Sequence, residues 1–194
     1  MFVEPVILEG RHARLEPLAL EHENLLNEAA ADGELWKLWY TSVPTPENAA
    51  ADMAMRLGAR DAGTMMPFVV RRVSDNAVVG ATTFSSIEAP HRRMEIGYTW
   101  YAKSAQRTAI NTEVKLLMLT HAFETLQCRA MEFRTHWMNH DSRAAIERLG
   151  AKLDGVLRSH RIGREGEDRD TCVYSIIASE WPSVRAHLQH KLDR

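Results

Sequence analysis

An α/β fold of the α+β kind, with one mixed sheet flanked by helices, is what the sequence predicts. Three observations carry that prediction. Segments with the two-residue alternation of strands cluster at residues 66–101, separated by turn residues and not by helices. Segments with three- and four-residue apolar spacing lie on both sides of that cluster. The resulting order is strand, two helices, three strands, helix, strand, helix, two strands, helix, which lacks the regular alternation of a doubly wound sheet. With 194 residues, one domain spanning 1–194 is expected. A domain of that size buries about 70% of the surface its unfolded chain exposes.

Residues 11–18 (RHARLEPL) alternate polar and apolar side chains and predict a strand at one edge of the sheet. Residues 21–31 predict a helix. A second helix is predicted over 46–62, with Thr45 as N-cap, Pro46 at the first helical position and Glu47 in the first turn. Residues 66–73 (MPFVVRRV) and 77–87 (AVVGATTFSSI) flank the turn-forming Ser74-Asp75-Asn76. Residues 93–101 (RMEIGYTWY) follow a Pro-containing break at Glu88-Ala89-Pro90, so the middle of the chain reads as an antiparallel meander.

After Lys103 the period changes. Residues 112–126 carry Leu116, Leu119, Phe123 and Leu126 at helical steps, with Val114, Leu117 and Met118 on a neighbouring face. A helix apolar over so wide an arc packs against a sheet. Residues 131–137 (MEFRTHW) alternate as a strand, and 141–149 predict a helix stopped by Gly150 in a left-handed conformation. Residues 152–162 and 171–177 pair as a hairpin around GREGEDRD. Ser179 then caps a last helix with Glu180, Trp181 and Pro182 in its first turn.

Composition excludes several function classes. At 45% hydrophobic and 26% charged residues, the chain is not disordered. A net charge of -2 gives no global basic field, so nucleic acid is not an expected partner. The N-terminal MFVEPVILEG is broken by Glu4 and Pro5 and is far shorter than the roughly 20 residues of a membrane span. It also lacks the order of a secretory signal, so no membrane partner and a cytoplasmic location are expected. Cys128 and Cys172 are too few for a disulfide framework and read as reduced, buried thiols.

Three places could carry chemistry. Lys103-Ser104-Ala105-Gln106-Arg107-Thr108-Ala109-Ile110-Asn111-Thr112 joins a strand to a helix, where N–H groups and the helix dipole suit a phosphate and Lys103 and Arg107 add charge. A solvated loop is the other reading. Glu95 sits inside an apolar and aromatic strand. Alternation puts it with Gly97 and Thr99 on one face, and Ile96, Tyr98 and Trp100 on the other. Desolvation there would raise its pKa toward that of a general base, while an arginine partner would make it structural. In Asn139-His140-Asp141-Ser142, Asn139 or Asp141 can cap the following helix, and the Ser142 hydroxyl could protonate a leaving group. His136 and His140 straddle a strand end and His121 reads as a packing residue, so no metal site is expected.

At these residues the chain resembles the GNAT superfamily of N-acetyltransferases, in the branch of the ribosomal-protein alanine acetyltransferases. The stretches that carry the resemblance are LEGRHARLEPL, EIGYTW, QRTAINTEVKLLMLTHAFE, FRTHWMNHDSRAAIERLGAKLDGVLR and RDTCVYSIIASEWPSVR. The resemblance implies a mostly antiparallel central sheet of about six to seven strands, splayed near its middle, with acetyl-CoA as co-substrate in the splay. It assigns pantetheine to the backbone of Tyr98, Thr99 and Trp100. It assigns the pyrophosphate to Gln106, Arg107, Thr108, Ala109, Ile110, Asn111 and Thr112, with Arg107 and Ala109 standing where glycine is usual. Glu95 falls where relatives place the base. Ser142 or Tyr174 is the implied acid, and Asn139 holds pantetheine or a water. The implied reaction is direct acetyl transfer to an amine acceptor without a metal. A CoA-binding or regulatory domain with weak catalysis is the alternative, and monomer and homodimer are both open.

Overall fold

The computed structural model describes residues 2–40, 43–163 and 166–194. The sheet is built from eight strands: β1 (Leu8–Glu9), β2 (Ala13–Pro17), β3 (Met66–Arg72), β4 (Val78–Glu88), β5 (Arg93–Tyr101), β6 (Ala130–His136), β7 (Lys152–Ile162) and β8 (Asp168–Ile177). Five helices surround it: α1 (Glu23–Ala31), α2 (Ala49–Asp61), α3 (Ala109–Thr120), α4 (His140–Glu147) and α5 (Trp181–Leu192). Strand order is β1-β2-β3-β4-β5-β6-β8-β7. Neighbours are antiparallel except β5 and β6, which run parallel. This is the expected mixed, mostly antiparallel sheet, with slightly more strands than the sequence suggested.

The extra strand is β1, two residues long and too short to leave a periodic signal. It pairs with β2, so β2 lies one strand in from the edge where the sequence placed it. A single carboxylate holds this corner. Glu113 of α3 is buried, and its oxygens accept the N–H groups of Arg11 (2.9 Å), His12 (2.5 Å) and Ala13 (2.7 Å).

The two faces of the sheet are covered differently. Met118 and Leu119 of α3, Ile146 of α4 and Leu188 of α5 join Phe68, Phe84 and Met131 from the strands in the main core. Trp181 stacks on Phe123 at 5.4 Å and ties the start of α5 to the end of α3. On the opposite face α1 and α2 lie over the middle strands, with Met53 against Leu18 and Val69.

Helix boundaries differ from expectation at their ends, where hydrogen-bond geometry decides. A 3-10 turn (Pro46–Asn48) precedes α2, and the Thr45 hydroxyl takes the Asn48 side chain instead of capping the backbone. Helix α3 starts three residues earlier than predicted and ends in a widened turn, His121–Thr125. The residue before α5 is Glu180, not Ser179, and its carboxylate accepts the Ile177 N–H and pairs with Lys152. Gly150 adopts φ +99 after α4, the conformation its position required. Part of the predicted GREGEDRD turn, residues 164 and 165, lies outside the described residues.

Removing the Glu113 carboxylate leaves three N–H groups without their acceptor, that of Ala13 buried. Each charge-assisted bond is worth about 1.5–3 kcal/mol and the three share one acceptor, so Glu113→Ala should cost about 3 kcal/mol or more. Urea denaturation checks this; a loss below about 0.5 kcal/mol would show that the β1–β2 corner is held by something else.

Candidate active site

Strands β5 and β6 start together and part. Their parallel pairing covers Arg93–Ala130, Met94–Met131 and Glu95–Glu132 and goes no further. Beyond it, β5 stays on β4 through Tyr101, and β6 stays on β8 through His136. The gap opens toward the C-terminal ends of both strands, leaving the edge groups of β5 free to pair with an extended amide-bearing ligand. Chain order puts a helix start at each side of the mouth: α3 follows β5, and α4 follows β6. Helix starts favour anions through free N–H groups and the dipole.

Glu95 is the last residue of β5 paired with β6, at the base of the gap. Its side chain keeps 14% exposure; Oε2 is 3.9 Å from Arg134 Nε and accepts Ser86 Oγ at 3.4 Å. Burial raises its pKa, and the lowering influence of Arg134, Ser86 and Arg161 does not offset this. Arg134 is itself engaged by Glu132, which also pairs with Arg93. Glu95 is therefore near a cation without forming a tight pair. A Cβ on Gly97 would lie 2.7 Å from Glu95 Oε1, so only glycine leaves room for this carboxylate to fold back along the strand.

The face assignment beyond Gly97 differs from simple alternation. Ala81 pairs with Trp100 and Thr83 with Gly97, so Tyr98 and Thr99 together oppose Thr82, and Tyr98 takes φ +52. This β-bulge shifts the phase by one residue. Thr99 turns to the α3 side, where its hydroxyl meets Thr82 Oγ1 (2.8 Å) and Lys115 Nζ (2.8 Å). Tyr98 and Trp100 join Glu95 on the α1/α2 side. The Arg56 guanidinium sits 4.8 Å from the Tyr98 ring centroid, and Trp100 packs near Leu35 and Val43. The side chains of all three residues are committed to protein contacts, leaving their backbone groups for a ligand.

At the other predicted site, Thr108 is the N-cap of α3; its hydroxyl accepts the Ile110 N–H (3.3 Å) and donates to Ala105 O (2.7 Å). Gln106 donates its side-chain amide to Tyr101 O at 2.9 Å, tying the loop to the end of β5. Arg107 adopts φ +60. That left-handed conformation supplies a reason for glycine here beyond close approach to phosphate. Ala109, Ile110, Asn111 and Thr112 form the first turn of α3, with Ile110 turned into the core.

Across the gap, Asn139 caps α4 by accepting the Ser142 N–H at 3.0 Å. Ser142 thus stands on the first turn of α4, half-buried. Tyr174 is fully buried in the main core, on the sheet face opposite Glu95. Its hydroxyl donates to Glu147 (2.8 Å) and accepts from Arg143 (3.2 Å). The structure brings Glu95, the β5 edge and the two helix starts around one gap; it sets Tyr174 apart beneath α4.

Two further groups escaped the sequence reading. Lys115 is buried with only hydroxyl partners, Thr99 and Thr82, and desolvation lowers its pKa to about 7. Arg56 is held bidentately by Asp52 (2.6 and 3.2 Å) beside a small pocket lined by Ala30, Met53, Thr83 and Trp100. The Asp52–Arg56 spacing of four on a helix was the only sequence signal for that pair. Among the described residues no group of three or more His, Cys, Asp or Glu could hold a metal, and no helix is long and apolar enough to cross a membrane.

A mostly antiparallel sheet parted between its two parallel strands, with a helix start on each side of the gap, defines an acetyltransferase-type architecture. The chain belongs to the acetyltransferase (GNAT) domain family, whose match covers residues 12–152. It is 30% identical over 107 residues to YdaF of Bacillus subtilis (strain 168), named as a candidate ribosomal N-acetyltransferase. That match covers 55% of this chain and 57% of YdaF, little more than half of the relative's length. A T. thermophilus protein described as a candidate acetyltransferase is similar over 99% of this chain and 100% of its own, with 34% identity and a TM-score of 0.86. Mycobacterium smegmatis RimJ, solved in complex with CoA-disulfide, shares the fold at a TM-score of 0.82 and 21% identity, covering 98% of this chain and 96% of that one.

The geometry of Arg107 separates two effects of one substitution. A left-handed L-residue costs about 1–2 kcal/mol and the added chain entropy of glycine about 0.4–1 kcal/mol, so Arg107→Gly should leave stability within about 1 kcal/mol of the parent. Losing a charge-assisted phosphate contact is worth about 1.5–3 kcal/mol, so CoA should bind about tenfold or more weakly, with a shallower salt dependence. Ala109→Gly alone should be near neutral, and the double variant should follow Arg107→Gly. Calorimetric titration of CoA into all four proteins at two salt concentrations measures this; tighter binding by the double variant would show that Arg107 obstructs the loop.

Proposed function

We propose that the chain transfers an acetyl group from acetyl-CoA directly to a primary amine, either a protein N-terminus or a small-molecule amine. The observation that carries this reading is Glu95: a desolvated carboxylate with raised pKa at the base of a gap whose two edges are free backbone. The start of α3 and Arg107 hold the pyrophosphate, with Thr108 to Thr112 shaping the turn. The open edge at Tyr98 to Trp100 pairs with the pantetheine amides, and the Asn139 side-chain N–H₂, free while its oxygen caps α4, supports the same arm. RimJ, of the same fold, was solved with CoA-disulfide, which supports a CoA thioester as the acetyl donor.

Glu95 takes a proton from the acceptor ammonium. The amine then attacks the thioester carbonyl, the C–N bond forms and the C–S bond breaks; the surplus proton on nitrogen passes through the Ser142 hydroxyl or a water to the leaving thiolate, so Ser142 ends as it began. Tyr174 is the weaker candidate for that donor, because its proton is already directed at Glu147. Most of the rate comes from deprotonation and alignment, since a thiolate is a fair leaving group. The acceptor enters from the α1/α2 face beside the Arg56 cavity. A ribosomal-protein N-terminus fits this class and the name of YdaF. We place the activity in the cytoplasm and in one domain spanning the chain. A CoA-binding domain with weak catalysis is the second reading, favoured by Arg107 at a left-handed position.

Glu95→Gln should lower kcat by about 10² or more while the acetyl-CoA dissociation constant stays put. Stability gives an independent sign. A carboxyl whose folded pKa is raised binds its proton more tightly in the folded state, so its contribution falls as pH rises above the unfolded value of about 4.3 and is lowest above the folded pKa. Glu95→Gln should therefore be more stable than the parent at pH 8, by a margin that shrinks toward pH 4. Undiminished kcat, or a variant destabilised at pH 8, would make Glu95 a structural ion-pair partner of Arg134. Ser142→Ala should cost about tenfold or more in kcat if its hydroxyl is the acid.

A further inference from the structure

The Glu95 face of the sheet continues onto β6, β8 and β7, and there it carries a concentration of positive charge. Register puts Glu132, Arg134 and His136 of β6, Arg169 and Thr171 of β8, and Arg161 of β7 on this side. Arg161 and Arg169 are direct cross-strand partners, and His160 bonds Thr171 at 3.1 Å. Like charges directly opposed across a ladder destabilise it. Burial and Arg161 both push Arg169 below its ordinary range. Burial, then Arg161, Arg134 and Arg169, do the same to His160, and burial with Arg169 to His136.

A built irregularity brings these groups together. Leu157 pairs with Thr171 and Arg161 with Arg169, so three residues of β7 oppose Asp170 alone, and Ser159 takes φ +45. Asp170 holds the bulge from the far side, accepting Ser159 N–H at 2.8 Å and Arg158 at 2.6 Å. The result turns His160 and Arg161 toward the Glu95 face. The carboxylates facing the cluster are mostly committed: Glu132 to Arg93 and Arg134, and Asp170 to Arg158, while Glu167 contributes attraction to Arg169. Among the described residues no carboxylate pairs with Arg161, and Arg169 Nε is buried without a partner. Arg161 is close enough to Glu95 to act on its charge.

We propose that the acceptor carries a carboxylate near its reacting amine, and that Arg161 and Arg169 hold that carboxylate while Glu95 takes the proton. This rests on the amine-acetylating reading above and adds the substrate class to it. Two sources share the chemistry: the free carboxylate of an amino-acid-like small molecule, and an Asp or Glu side chain early in a peptide. A polyanion such as RNA fits less well, because Glu95, Glu132 and Glu167 stand among the arginines and would oppose a run of phosphates.

The test is kcat/KM for matched acceptors. Peptides with Asp, Asn or Lys at the second position form one arm; free amino acids against their amides form the other. The parent should prefer the acidic member of one arm by about 10- to 100-fold, and which arm responds identifies the source. In Arg161→Gln with Arg169→Gln that preference should collapse to a few-fold. Because Arg169 is half-buried, Arg161→Glu alone serves as the second variant: it should shift preference toward the Lys peptide. Equal rates on acidic and neutral acceptors, an unchanged preference in the variants, or saturable RNA binding that the same variants abolish would overturn the inference. Calorimetric acetyl-CoA binding distinguishes the two levels. Binding with acetylation of neutral amines sinks only this inference; no binding and no acetylated amine sinks the underlying function.

Discussion

Competition for the edges of β5 and β6 shapes the molecule. Each strand has one long antiparallel ladder, β5 with β4 and β6 with β8, and only three parallel pairs with the other. Antiparallel ladders are somewhat stronger per residue, and twist accumulates along each of them. The Tyr98–Thr99 bulge adds local twist to β5 while it follows β4. The two strands therefore separate once the short parallel register is exhausted, and Glu95 is where that happens. An unpaired sheet interior is ordinarily costly, because its N–H and C=O groups need partners. Here the unpaired edges line a gap, where the proposed co-substrate, with amides along its length, would satisfy them.

The same geometry sets the electrostatics. Glu95 has lost water because the strands close beneath it, yet Arg134 stops short of a tight pair because Glu132 claims it. A direct bidentate pair would have lowered the Glu95 pKa and removed its use as a base. Gly97 contributes by what it lacks, since a side chain there would push the Glu95 carboxylate from its present position. On the other side of the strand, Lys115 sits under the bulge with only Thr99 and Thr82 for company. With no carboxylate to hold its charge, it is driven toward neutrality. That arrangement fixes the Thr99 hydroxyl without placing a strong positive field below the cleft.

How legible this was in the sequence depends on the length scale of each signal. Strand β5 was readable over 93–101 because its apolar and aromatic run is long and bounded by Pro90 and Lys103, and β7 over 152–162 likewise. Glu95 stood out as a charge inside that run. The bulge was invisible: alternation assumes a constant period, so Thr99 was assigned the face that Tyr98 and Trp100 occupy. Strand β1 was missed because two residues have no period, and its real determinant, Glu113, lies far away on α3. The left-handed turn at Arg107 could be inferred only from the family's glycine, because arginine itself carries no such signal. The basic cluster went unread because Arg134, Arg161 and Arg169 come from three strands whose register no local pattern discloses.

The proposed reaction has its two substrates meet through the sheet, a reading that rests on where the helices sit. Helices α3 and α4 cover one face with the main core, and their N-terminal ends flank the mouth of the gap. Glu95, the Arg56 cavity and the arginines of β6, β7 and β8 lie on the other face. In the proposed reaction, a phosphate-anchored thioester reaching in from the helix starts would present its carbonyl at the closed end of the gap, and an amine from the opposite face would arrive beside Glu95. On that reading no covalent enzyme intermediate is required, because both reactants would occupy the gap at once. It also explains why Cys128 and Cys172, both buried in the main core, stand apart from the chemistry. Burial raises both thiols, Cys128 to about 11, so neither supplies a thiolate near neutral pH.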